Sequence, residues 1–68
     1  MKKGDKVRVI SVANSFVEGM QTIPEIKALI GQEFTVKDVR HYPDENLSIV
    51  DLEEILYGFE SLDLKEIE

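Results

Sequence analysis

The sequence contains no cysteine. No disulfide can therefore staple the fold, no thiolate can hold zinc, and no thiol can act as a nucleophile. Tryptophan is missing too, and histidine occurs once, as His41. A Ser-His-Asp arrangement would have to use that single imidazole. No serine stands in a Gly-x-Ser-x-Gly context, so a catalytic triad has no support. The four glycines are isolated and form no phosphate-cradling loop, which leaves nucleotide binding without a positive signal. Long apolar runs are absent as well. Behind the basic start "MKKGDKVRV" the apolar residues are interrupted by Lys6, Arg8, Ser11 and Asn14, giving neither a signal-peptide core nor a membrane span. With an initiating Met and no visible tag, the expectation is a complete small cytoplasmic protein.

Positive charge is scarce: eight Lys and Arg face fourteen Asp and Glu, for a net charge of −6. The distribution is more informative than the total. Residues 1–10 carry +3, residues 11–40 carry −1, and from His41 onward Lys65 alone faces nine acids, giving −8. Nucleic-acid binding draws on clustered Lys and Arg that displace counterions from phosphates, and an acidic half opposes it. Two readings of the acidity remain: a solvated face that keeps the chain soluble, which is the simpler one, or a patch for a basic protein partner. A chain of 68 residues has room for one domain, residues 1–68, and one small core. At this size burial only modestly exceeds the entropy cost of ordering the chain.

What is present reads mostly as strands. In "DKVRVISVA" the β-branched residues dominate, with Val7 and Val9 alternating against Arg8 and Ile10, after a turn at Gly4 and Asp5. Residues 14–22 show no sustained period and form a long loop. Within the same connection "IPEIKALIGQ" has Pro24 at a first helical position, Glu25 in the first turn, Ile26, Leu29 and Ile30 on one side and Gly31 as a stop. This predicts a turn or two of helix over 24–30, serving either as a cap on the core, the preferred reading, or as a binding element. "EFTVKDVRHY" alternates again, with a one-residue slip between Val36 and Val39 that requires a bulge. "YPDEN" supplies turn chemistry and "LSIVDL" another strand, so a hairpin is expected.

The last stretch supports two structures. Leu52, Ile55, Leu56 and Phe59 fall at helical spacing, and Asp51 with Glu54 imitates a capping box. Gly58 would sit inside that helix at a cost of about 1 kcal/mol relative to Ala, and Tyr57 and Phe59 favour strands. Ile55, Tyr57 and Phe59 also alternate. Propensity alone does not decide.

The frame "KKGDKVRVISV", "LIGQEFTVKDV" and "LSIVDLEEILYGFESLDLKEIE" resembles small SH3-like β-barrel proteins, namely KOW-type domains, the photosystem I accessory subunit of this fold, the SH3-like subunit of ferredoxin-thioredoxin reductase and uncharacterised bacterial families. The matching positions are Gly4 and Asp5 before Val7 and Val9, then Gly31 and Val36, then Tyr57, Phe59, Asp63, Leu64 and Ile67. The resemblance covers most of the chain through turn and core residues, and it bears on fold more than on function. It implies a five-stranded SH3-like barrel with a short helix in the long first loop. Ile55 to Phe59 would be a strand, Ser61 to Leu64 a 3-10 turn, and Lys65 to Ile67 the closing strand. Phe34 stands where the second glycine of a KOW-type segment belongs, and basic residues are scarce where an RNA-contacting loop needs them.

No residue set carries chemistry. Asp38, His41 and Asp44 match no zinc or EF-hand spacing, and the neighbours Asp44–Glu45 and Glu53–Glu54 point apart in a strand or turn. No catalytic, cofactor or metal residue is therefore assigned, and the chain is expected not to be an enzyme. Phe34 and Phe59 alternate into the core. Phe16, Arg40, His41, Tyr42 and Tyr57, with the acids Glu53 and Glu54, make up the candidate partner-contact set. For each aromatic taken singly, packing under a loop or over the barrel end is the simpler role. The leading expectation is a non-enzymatic binding module or accessory subunit acting on a protein partner, or self-associating through a barrel edge. The alternatives are a KOW-like nucleic-acid module using Lys2, Lys3, Lys6 and Arg8, and a phage or mobile-element protein acting on a host target.

Overall fold

A computed structural model describes residues 1–67. The chain is mostly β, with strands β1 (Lys6–Val9), β2 (Glu33–Tyr42), β3 (Leu47–Leu52), β4 (Gly58–Glu60) and β5 (Leu64–Ile67). One short helix, α1 (Pro24–Lys27), and 3-10 turns at Met20–Thr22, Pro43–Glu45 and Ser61–Asp63 complete it. The strands form a single antiparallel sheet in the order β4-β3-β2-β1-β5.

Alternation explains β1: Val7 and Val9 are fully buried while Lys6 and Arg8 face solvent. β2 is long because it serves two partners, pairing Phe34 with Val7 at one end and Tyr42 with Leu47 at the other. Between Val36 and Asp38 its register shifts against β3, at the slip that the hydrophobic pattern requires. A bulge there bends the strand, so the sheet folds over the core. The β2–β3 turn is closed by Asn46 in the left-handed region at φ 50, a conformation asparagine tolerates better than other side chains. Val12, Ile26, Leu29, Phe34, Val36, Val50, Leu52, Phe59 and Leu64 join Val7 and Val9 in one core.

The helix is a single turn, Pro24–Lys27, within the turn or two expected and three residues short of the 24–30 span. Pro24 and Glu25 occupy the first turn, and after Lys27 the chain continues as turns into Gly31, where φ is +90°. Ile26 and Leu29 are buried, whereas Ile23 and Ile30 stay partly exposed. Two of the four apolar side chains thus cover the core, and α1 lies on it as a small cap.

In the C-terminal stretch the helical stripe does not form. Leu52 ends β3 and Phe59 lies in β4 opposite Val50. The strand expected from Ile55 begins only at Gly58. Pairing Asp51 with Gly58 uses the intervening residues for the reversal, so Ile55 tucks against the core edge while Leu56 turns outward. The 3-10 turn at Ser61–Asp63 and a last strand are present, the strand pairing Leu64 with Val9 and Ile67 with Lys6. Among the described residues no ladder joins β4 to β5, so the sheet is open in its hydrogen bonding. Among the described residues no helix is long and apolar enough to cross a membrane.

Candidate functional site

The most organised polar feature is a clasp built on Asp63, among the described residues the only charged one in the buried set. Leaving a carboxylate in that position without partners would cost several kcal/mol, so donors have to converge on it. Asn14 supplies its backbone N–H at 3.1 Å and its side-chain amide at 2.9 Å, and Ser15 supplies its hydroxyl at 2.5 Å. The Ser15 oxygen in turn accepts the backbone N–H of Glu60 at 2.9 Å. From the other side, the Gln21 amide donates to the carbonyls of Ala13 and Phe16. A loop without regular structure is thereby fixed at both its N–H and its C=O groups.

This anchoring sets the position of Phe16. Its ring packs edge-on against Tyr57, with centroids 5.6 Å apart at 77°, and against Phe59, 5.5 Å apart at 80°. Edge-to-face pairs of this kind contribute about 0.5–1.5 kcal/mol beyond the area they bury. Phe59 is fully buried, Phe16 is half-buried and Tyr57 remains exposed, so the three rings run from core to surface. Beside them Leu56 is 104% exposed, as open as an apolar side chain can be.

A second group lies on the outer face of β2, β3 and β4. Asp38 and Asp51 stand opposite each other, an unfavourable like-charge pair, and Arg40 answers it by donating to Asp51 Oδ1 at 3.0 Å. Asp51 raises the Arg40 pKa, with a smaller contribution from the Tyr42 phenol. The guanidinium passes over Gly58: a Cβ there would lie 3.2 Å from Asp51 Oδ1 and from Ile49 Cγ2, and 3.7 Å from Arg40 Nη2. An added methyl group would require the Asp51 and Ile49 side chains to shift by a few tenths of an ångström. At the far end of the hairpin His41 Nδ1 lies 2.8 Å from the Ser48 hydroxyl, and Tyr42 remains exposed at the turn.

Glu53 and Glu54 part company. Glu54 accepts the backbone N–H of Thr35 at 2.8 Å and its hydroxyl at 2.9 Å. The Thr35 backbone bond is the main cause of a lowered Glu54 pKa. The Glu53 backbone N–H bonds Thr35 O, and its side chain is exposed with no hydrogen bond or ion pair among the described residues. Two of the four cations of the basic N-terminal set are also engaged. Lys6 donates to Thr35 Oγ1 at 2.7 Å and Arg8 pairs with Glu33 at 2.6 Å.

Of the residues singled out from sequence, the structure brings Phe16 and Tyr57 together and sets Arg40 beside Tyr42. His41 and Glu54 are tied to neighbours within the sheet. Sequence reasoning missed Asn14, Ser15 and the buried role of Asp63, whose one signal is an acid between Leu62 and Leu64 in the closing turn. It also missed Leu56, which stands out of phase with the Ile55, Tyr57 and Phe59 alternation. Among the described residues no pocket is found and no three His, Asp or Glu side chains converge as metal ligands. No family model, curated protein or solved structure matches the chain.

Proposed function

We propose that this chain is a small SH3-like barrel that serves in the cytoplasm as a non-enzymatic binding module or accessory subunit, acting through protein-protein contacts. The strand order β4-β3-β2-β1-β5, the bulged β2 shared by both halves of the sheet and the 3-10 turn joining the two edge strands support the barrel reading. The observation that carries the contact reading is the wholly exposed Leu56, set between an uncommitted Glu53 and the Tyr57 ring that leans on Phe16. An apolar knob with an acidic flank fits a basic partner surface with an apolar recess.

Capture of partners from the native cell with the wild-type chain, Leu56→Ser and Glu53→Lys tests this reading. The wild type should retain a partner that each variant loses, with Glu53→Lys altering the salt dependence as well. Equal capture by all three would remove the site. The KOW-like alternative is disfavoured because Lys6 and Arg8, two of its four cations, already have partners within the sheet, and the chain carries a net charge of −6.

A further inference from the structure

Among the described residues β4 has a ladder on one side only, against β3, so its other edge is open to a further strand. The Glu60 N–H is donated to Ser15 Oγ and not to β3. In an antiparallel ladder the backbone groups alternate in direction, so Gly58 and Glu60 both turn theirs to the free edge. The Ser15 hydroxyl therefore occupies a hydrogen-bonding position that an added strand would take. Its hold comes from the Asp63 clasp and from Phe16 lying on Phe59.

We propose that Asn14 to Phe16 form a strap over the β4 edge, and that the strand it excludes is β4 of a second copy of this chain. Charge decides between occupant and register. A two-fold axis through Phe59 sets Glu60 opposite Gly58 of the second copy. There the missing side chain leaves room, and the Arg40 guanidinium, half exposed and lying over Gly58, is placed to receive the carboxylate. Among the described residues Glu60 has no ion-pair partner within its own chain. Moving the axis to Glu60 would set that acid against itself, and moving it to Gly58 would set it against Leu56. The other open edge, β5, is unsuited to self-pairing because an axis at either Lys65 or Glu66 juxtaposes like charges. Closed, the strap weakens self-association so that the wild-type chain pairs only at high concentration; open, it exposes a self-complementary edge. This inference stands apart from the Leu56 contact and does not need it.

Sedimentation of Ser15→Ala tests the strap, with folding checked by circular dichroism. Removing one competing hydrogen bond from each copy should raise the dimer association constant about thirtyfold over wild type. Glu60→Lys in the same background should return it to monomer, and the swap Arg40→Glu with Glu60→Lys should restore association. In the wild-type chain, concentration-dependent amide shifts should centre on Gly58 and Glu60, a reading that needs no variant. A folded Ser15→Ala that stays monomeric to millimolar concentration overturns the proposal. Association unaffected by Glu60→Lys would also overturn it, by placing the contact elsewhere. Should Ser15→Ala not fold, wild-type amide shifts that are absent or centred elsewhere overturn the proposal.

Discussion

Replacing Asp63 by Asn keeps the size of the side chain and removes its charge, so it isolates what the clasp contributes. Three donors converge on this carboxylate, from the Asn14 backbone, the Asn14 side chain and the Ser15 hydroxyl. Hydrogen bonds to a charged group contribute about 1.5–3 kcal/mol each, and a buried donor left unpaired costs about 1–3 kcal/mol. An asparagine amide offers one acceptor oxygen and turns an NH2 toward groups that are themselves donors. Ser15 can rotate its hydroxyl to accept, but the Asn14 donors cannot. The net loss is therefore about 2–4 kcal/mol, close to one unpaired donor plus one weakened bond. A domain of this size has a total stability of only about 3–10 kcal/mol, and in small domains each kcal/mol shifts Tm by about 4–8 °C. Thermal and urea unfolding followed by circular dichroism should show Tm falling by about 10–25 °C, with near-ultraviolet signal from Phe16 and Tyr57 lost first. A cycle with Ser15→Ala should give coupling of about 1–2 kcal/mol. A Tm within about 2 °C of wild type for Asp63→Asn would refute the reasoning, because it would mean that the donors are satisfied without the charge.

Gly58→Ala should destabilise by about 1–2 kcal/mol, since its methyl group meets Asp51 and Ile49 at 3.2 Å; adding Arg40→Ala should recover part of that loss in urea unfolding, and no recovery would show that Ile49 alone sets the limit. Glu54 has a lowered pKa, so its contribution is fully present above the ordinary carboxylate pKa and is lost as pH falls through the lowered value. Glu54→Gln should accordingly flatten the acid limb of the stability–pH profile, and an unchanged limb would count against the Thr35 bonds.

Much of the fold was legible because its signals are local. Val7 and Val9 alternate with charged neighbours, Pro24 starts a helix, and the Val36 to Val39 misfit announces the bulge that the β2–β3 register contains. The C-terminal stretch was ambiguous for the opposite reason. Leu52, Ile55, Leu56 and Phe59 have a helical spacing that pairing with β3 overrides, since Asp51 opposite Gly58 leaves no length for a strand from Ile55. The clasp was not legible at all. Asn14 and Ser15 read as ordinary loop residues, and their partner Asp63 is distant in sequence, so only the fold reveals that a single carboxylate orders the loop. Gly58 was read as a helix breaker, while its actual constraint is the Asp51 carboxylate and the Ile49 methyl group, which a Cβ would meet at 3.2 Å.

The two ladders of β2 and β1 have a consequence for the order in which the chain assembles. Tyr42 meets Leu47 across a tight turn, whereas Lys6 meets Ile67 with nearly the whole chain between them. Loop-closure entropy grows with the logarithm of the intervening length, which makes the second pairing costlier by about 2 kcal/mol. The β2–β3 hairpin can therefore zip early, while β1 and β5 join only when Val9, Leu64 and their core neighbours are already in place to reward the closure. Pulse-labelled amide exchange should protect β3 before β5. The strand that runs through both halves, β2, would then be the template on which the slow half of the molecule is laid down.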